Sequence, residues 1–209
     1  MENERRNFDQ EAAVWEEKPE RVKIAKNVSQ SMLKTIPFDS SMHVLDFGCG
    51  TGLISLAIQP HVQTITGIDT SQGMLKVFQN KVDTQHLLNV KIRYLDLEHE
   101  DTLSEKFHVI VSSMTLHHVP DTQKILDKFY QLLEPKGILA LADLDREDGL
   151  FHQDNHGVFH HGFDRTALSH LFEKAGFRNT QVQTAAETMR SVPNQDQRKF
   201  TIFLISGWK

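Results

Sequence analysis

The sequence predicts an α/β fold, a doubly wound and mostly parallel sheet with helices on both faces. Two observations carry that expectation. Short apolar runs alternate with amphipathic stretches from residue 43 to residue 177. The first run, HVLDF, leads straight into GCGTG, a glycine turn of the kind that joins a strand to a helix beside a ligand crevice.

Residues 9–36 are helix-friendly, with Val22, Ala25, Val28, Met32 and Leu33 at helical spacing. Pro19 suits the first turn, Pro37 ends the helix, and FDQEAAVWEE ahead of it reads as a short separate helix. HVLDF, TITGID, VKIRYLD, FHVIVSS and GILALAD are the strands that follow in turn. The intervening helices are LISLAIQPHV, with Leu53, Leu56 and Ala57 expected inward, then SQGMLKVFQNKV and DTQKILDKFYQLLEP. In the last of these Ile125, Leu126, Phe129, Leu132 and Leu133 form one apolar stripe. FDRTALSHLFEKAGF is a further helix, with Gly176 as its C-terminal cap. NTQVQTAAETM and KFTIFLISGWK have no helix between them and are expected to pair antiparallel across PNQDQ at one sheet edge. Right-handed crossovers place the carboxyl ends of the parallel strands on one rim, where ligands bind.

The 209 residues suit one domain, and 39% hydrophobic residues suffice for a sizeable core. With 23 basic and 28 acidic residues the net charge is −5, and no Lys/Arg-rich run occurs, which argues against a nucleic-acid partner. Cys49 is the only cysteine, so an intramolecular disulfide is impossible, as suits a reducing compartment. MENERRNFDQEAA has no apolar core of a secretory signal, and no apolar run approaches the ~20 residues needed to span a bilayer. A cytoplasmic protein without membrane partners is expected.

VLDFGCGTG is the most informative stretch. Its glycines at 48, 50 and 52 let a ligand approach bare backbone, and the next helix offers unpaired N–H groups. The nicotinamide fingerprint G-x-G-x-x-G differs, because here the third glycine comes one residue early. Asp46 also sits just before the turn, where a carboxylate would repel a pyrophosphate and welcome an ammonium or sulfonium. Asp69 ends the second strand, where an acid accepts from both ribose hydroxyls. Asp96 and Leu97 end the third, where an acid can accept from an adenine amino group and the next N–H can donate to a ring nitrogen. Met74 packs either on the base or in the core. The implied ligand is an adenosine with a positively charged tail.

In order, VLDFGCGTG, GIDTSQGML, YLDLE, VIVSSMTLHHVPD and LLEPKGILALAD resemble the motifs of class I S-adenosylmethionine-dependent methyltransferases. The match covers residues 44–143 and is most similar to small-molecule enzymes of the ubiquinone/menaquinone-biosynthesis type. The resemblance implies a seven-stranded sheet of order 3-2-1-4-5-7-6 with its last strand antiparallel, and S-adenosyl-L-methionine as cofactor. It implies that Asp46 and the turn hold the methionine part, Asp69 the ribose, and Asp96 and Leu97 the adenine. Gly48, Cys49, Gly50, Thr70, Met74 and Ser113 complete the expected cofactor set. The implied single domain divides into a helical lid (1–37), a cofactor core (43–145) and an acceptor side (146–209). One departure is visible: where the family often enters the fourth strand with an acid, this chain has His108.

Methyl transfer from a sulfonium needs nucleophile, methyl carbon and sulfur in line, in a site that excludes water. Trp15 either closes over such a site or anchors its helix. A base is needed only if the acceptor must first lose a proton. FHQDNHGVFHH, residues 151–161, belongs to the same rim as His117 and His118. Its histidines read as a solvated loop, an acceptor pocket, or a metal site built on His156 and His160 with Asp154. No metal is expected, because glycines interrupt the stretch and no cysteine pair or H-E-x-x-H supports one. His118 is the first choice of base, then His117, His160 and His161. Adjacent residues in an extended chain face opposite sides, so only one of His117 and His118 is expected to matter strongly. The acceptor is expected to be a small molecule. The alternatives are a protein acceptor, a non-catalytic S-adenosylmethionine or S-adenosylhomocysteine binder, and a nicotinamide oxidoreductase. The residues set neither the methylated atom nor the oligomeric state.

Overall fold

The computed structural model describes residues 6–99, 103–193 and 195–209. The first five residues of the charged N-terminal stretch and Asn194 of PNQDQ lie outside these. Seven strands form one sheet of order β3-β2-β1-β4-β5-β7-β6. They are β1 (His43–Phe47), β2 (Thr64–Asp69), β3 (Val90–Tyr94), β4 (Phe107–Ser113), β5 (Leu133–Leu144), β6 (Arg178–Val192) and β7 (Gln195–Trp208). β1 to β5 run parallel, while β7 is antiparallel to both β5 and β6.

Alternation along the strands makes the sheet two-faced. Leu45, Ile110, Leu139 and Leu141 face one side with α4 (Thr122–Leu132) and α5 (Arg165–Ala175). Val44, Val109, Val111, Ile138 and Ala140 face the other with α1 (Pro19–Thr35) and α2 (Leu53–Ile58). α3 (Gln72–Thr84) packs Leu75, Phe78 and Val82 against Cys49. Asp or Ser caps start three helices: Ser71, Asp121 and Asp164 accept from the backbone N–H groups of Met74, Lys124 and Ala167. Gly176 closes α5 at φ +104, as a left-handed cap requires.

The stripe on α4 is buried as expected, but two helices differ in their inner face. α2 buries Ile54, Ser55 and Ile58, while Leu53, Leu56 and Ala57 are half-buried. A single α-helical run of six residues, passing into a 3-10 turn at Gln59–His61, is too short for periodicity to fix its rotation. α1 turns Ile24, Val28, Ser29 and Met32 inward and leaves Val22, Ala25 and Leu33 at the flanks. FDQEAAVWEE contributes a 3-10 segment, Ala12–Glu17. β5 begins before GILALAD, with Leu133 paired to Phe107. His108 accepts the backbone N–H of His43 at 3.0 Å, at the opening of β1, so the departure from the family pattern lies at the end of the sheet away from the crevice.

Candidate active site

The carboxyl ends of β1, β2 and β4 open into a cavity of about 490 Å³, within the usual range for small-molecule sites. The glycine turn forms its floor. Gly48, Gly50 and Gly52 have φ of +68°, +52° and +83°, values that favour glycine. A Cβ on Gly48 would fall 2.3 Å from Thr115 and one on Gly52 2.2 Å from Phe78, while one on Gly50 would meet nothing within 4 Å. Gly48 and Gly52 are required by packing; Gly50 leaves open space where a ligand can lie on backbone.

Asp46 is buried beneath this turn, and its Oδ2 accepts from Ser55 Oγ at 2.6 Å. Burial pushes its carboxyl up to about 7, against the Ser55 hydrogen bond and with the charge of Asp69 adding. Asp69 accepts the N–H of Gly50 at 2.8 Å and that of Ser71 at 2.9 Å, which ties the end of β2 to the turn. Burial also raises Asp69, and those amide bonds oppose it. Two acids short of countercharge fit a sulfonium and an ammonium, and would be further destabilised by a pyrophosphate. Asp96 lies two residues beyond β3, with Oδ1 accepting the N–H of Glu98 at 3.0 Å. Met74 is both buried and on the cavity wall. Burial lifts the Cys49 thiol well above its ordinary value, which disfavours the thiolate. All ten residues expected around the cofactor — Asp46, Gly48, Cys49, Gly50, Asp69, Thr70, Met74, Asp96, Leu97 and Ser113 — line this one cavity.

The same cavity is lined by His117, His118 and His152. Leu116–His118 is a 3-10 turn rather than extended chain. Both His117 and His118 therefore face the cavity, their ring centroids 4.2 Å apart, which corrects the expectation that one of the pair points away. His117 Nδ1 stands 2.7 Å from Asp143 Oδ1, and its backbone N–H donates to Asp143 Oδ2 at 3.1 Å. Burial alone would raise Asp143, yet the charge and hydrogen bonds of His117 hold it below its ordinary value. His118 Nδ1 lies 2.7 Å from the Gly157 carbonyl. Burial takes His118 and His152 down to about 3, helped by the neighbouring His117.

His160 and His161 do not line this cavity, a second correction. His160 Nε2 lies 3.0 Å from the Val119 carbonyl and its ring packs on Phe163, while His161 is exposed. His156 is exposed as well, so the grouping of His156, His160 and Asp154 does not form at the cavity. Sequence reasoning missed Asp143 as the partner of His117, although its place at the end of β5 was a signal. It also missed His152 as the histidine of its stretch that turns inward.

Arg6, Phe8 and Trp15 of the N-terminal segment line the cavity as well. Asp9 accepts from Ser71 Oγ at 2.5 Å and from the Gly73 N–H at 2.7 Å, at the start of α3. Phe8 meets His118 edge to face at 5.1 Å, and Trp15 lines the cavity with the Arg21 guanidinium 3.6 Å from its ring.

A family model described as a methyltransferase domain matches residues 16–182. The chain belongs to that family, the class I S-adenosylmethionine-dependent methyltransferases; it is an enzyme of this class and its cofactor is S-adenosyl-L-methionine. An uncharacterized methyltransferase of Schizosaccharomyces pombe is 35% identical over 81% of this chain and 68% of its own length. A ubiquinone biosynthesis O-methyltransferase of Coxiella burnetii is 35% identical over 50% of this chain and 44% of its own length. The chain thus spans about two thirds of the first relative and under half of the second. Two solved structures share the fold. YcgJ of Bacillus subtilis has a TM-score of 0.71 at 18% identity, covering 88% of this chain and 98% of its own. Haemonchus contortus phosphoethanolamine N-methyltransferase 2, in complex with phosphomonomethylethanolamine and S-adenosylhomocysteine, has a TM-score of 0.71 at 17% identity over 88% of this chain and 52% of its own. No helix among the described residues is long and apolar enough to cross a membrane.

Proposed function

We propose that this chain transfers the methyl group of S-adenosyl-L-methionine to a small molecule that enters beside His117, His118 and His152. One observation carries the reading: a single cavity is lined both by Asp46, Asp69 and Asp96, suited to a cationic adenosine, and by the buried His117 with the half-buried His118 and His152, suited to a nucleophile. Asp46 and the Gly48–Gly50 backbone take the methionine part, Asp69 and Thr70 the ribose, and Asp96 and Leu97 the adenine, with Met74 against the base and Cys49 and Ser113 on the walls. The bound cofactor supplies an electrophilic methyl group on a good leaving group. The chain then has to hold the acceptor in line with it and exclude water. His118 and His117 orient the acceptor's O–H, N–H or S–H; His160 and His161 have no part in this.

The chain acts as one domain. Residues 1–37 serve as the lid, 43–145 as the cofactor core and 146–209 as the acceptor side. Phe8, Asp9 and Trp15 support the lid role, since they join the N-terminal segment to α3 and to the histidines. The lone buried Cys49 fits a cytoplasmic setting. The test is incubation with S-adenosylmethionine labelled in its methyl group and fractionated cell metabolites, read by mass spectrometry. A labelled small molecule is the expected product. Label found only in protein would replace this reading with a protein acceptor.

A further inference from the structure

We propose that His117, His118 and His152 bind one divalent transition-metal ion of the zinc type on the acceptor side of the cavity, with a coordination position left open toward the acceptor. The site rests on the reading above only for what the metal does, not for its existence.

One ring nitrogen from each of the three histidines lies within 4.8 Å of those of the other two. Ring centroids are 4.2 Å apart for His117 and His118, 4.9 Å for His117 and His152, and 6.0 Å for His118 and His152. Two of the rings have their tautomer fixed by their partners. A carboxylate and a carbonyl can only accept, so Nδ1 of His117 must donate to Asp143 and Nδ1 of His118 must donate to Gly157. In its neutral form each ring then presents a bare Nε2 lone pair, an atom a metal can take. Asp143, fully buried behind His117, stands where an outer-shell carboxylate orients a ligating imidazole and raises its basicity. The third ring carries the independent sign. His152 Nδ1 is buried and meets no hydrogen-bond partner among the described residues, a costly state unless something else satisfies it. Three imidazoles without thiolate suit Zn²⁺ or its neighbours Co²⁺ and Ni²⁺, and three protein ligands leave a position open. Tetrahedral ligation would draw the nitrogens from within 4.8 Å to roughly 3.3 Å of one another.

Such an ion would hold an acceptor hydroxyl or thiol as its conjugate base, the displaced proton passing to water. The X–CH₃ bond then forms as the S–CH₃ bond breaks, the electron pair staying on sulfur to give neutral S-adenosylhomocysteine.

The test uses full-length protein purified without a histidine tag, stripped with EDTA and titrated with Zn²⁺ and Co²⁺ by calorimetry and visible absorption. One equivalent of metal, with the intense cobalt bands of a four- or five-coordinate nitrogen site, is expected. Asp143→Asn should weaken binding about 10–100-fold, and His152→Ala by more than that, with helix content and melting checked by circular dichroism. Failure to bind metal, or binding unchanged in His152→Ala, overturns the site. Metal bound as described with no small molecule methylated would refute the acceptor reading while leaving the metal site intact. Full methyl transfer by metal-free protein would overturn the metal's part in transfer while leaving the acceptor reading intact.

Discussion

Ser55 Oγ donates to Asp46 Oδ2 at 2.6 Å in a pocket that excludes water from both side chains. Ser55 is on α2 and Asp46 on β1, so this bond spans the glycine turn and fixes the carboxylate under the place where the cationic tail of the cofactor should lie. It does not neutralise Asp46, whose carboxyl burial pushes up to about 7.

Cofactor binding should therefore depend on pH near neutrality. A cationic ligand favours the ionised acid, and with a pKa of about 7 only roughly a tenth of Asp46 is ionised at pH 6. Calorimetric titration with S-adenosylmethionine should show affinity rising roughly five- to tenfold from pH 6 to pH 8, with proton release below pH 7. Asp46→Asn should bind more weakly and lose this dependence.

The same group makes the ligand-free protein less stable as pH rises. The folded pKa of Asp46 lies above the ordinary aspartate value of 3.8, so the folded state binds the extra proton. Its contribution is fully present below that value and lost as pH rises through about 7. Melting curves of the wild type minus those of Asp46→Asn should show that loss across this window. A difference independent of pH would contradict the raised pKa.

Two glycines of the turn should respond differently to alanine. Gly52→Ala places a methyl 2.2 Å from the Phe78 ring, besides the strain of φ +83°. It should cost more than the roughly 1–3 kcal/mol of strained backbone alone, visible as a large fall in Tm. Gly50→Ala meets open space, so it should cost only that strain while sharply weakening S-adenosylhomocysteine binding.

Asp69→Asn keeps the shape but loses an acceptor. Its two oxygens receive the N–H groups of Gly50 and Ser71, and an amide nitrogen cannot accept either. Cofactor affinity should fall at least about tenfold, since a hydrogen bond to a charged group is worth about 1.5–3 kcal/mol. Unchanged affinity by calorimetry would remove Asp69 from ribose recognition.

If the N-terminal segment is the lid, Trp15→Ala should weaken cofactor binding and slow transfer with little change in Tm. Trp15 is only partly buried and packs on Arg21 beside the cavity rather than in the main core. A Tm drop with normal affinity would instead make Trp15 an anchor.

The gathering of the proposed cofactor residues around one cavity was legible because they sit at or just beyond strand ends, and strand order carries them together. Asp46, Asp69 and the glycine turn needed only the alternation of strands and helices to be placed. The acceptor half was not legible in that way. Whether His117 and His118 face one way or two depends on a three-residue 3-10 turn, Leu116–His118, which leaves no periodic signature. The choice of His152 over His160 depends on the path of an irregular loop, where Phe159 and His160 both bond back to the His117 carbonyl. The inner face of α2 was misjudged for a similar reason, since Ile54 and Ile58 compete with Leu53 and Leu56 over too few turns.

The most direct test is a crystal structure of the protein soaked with S-adenosylhomocysteine. The account expects the ribose hydroxyls against Asp69, the adenine beside Asp96 and Leu97, and the amino-acid tail over Gly48 and Gly50 near Asp46. An adenosine bound elsewhere, or one whose ribose makes no contact with Asp69, would contradict it.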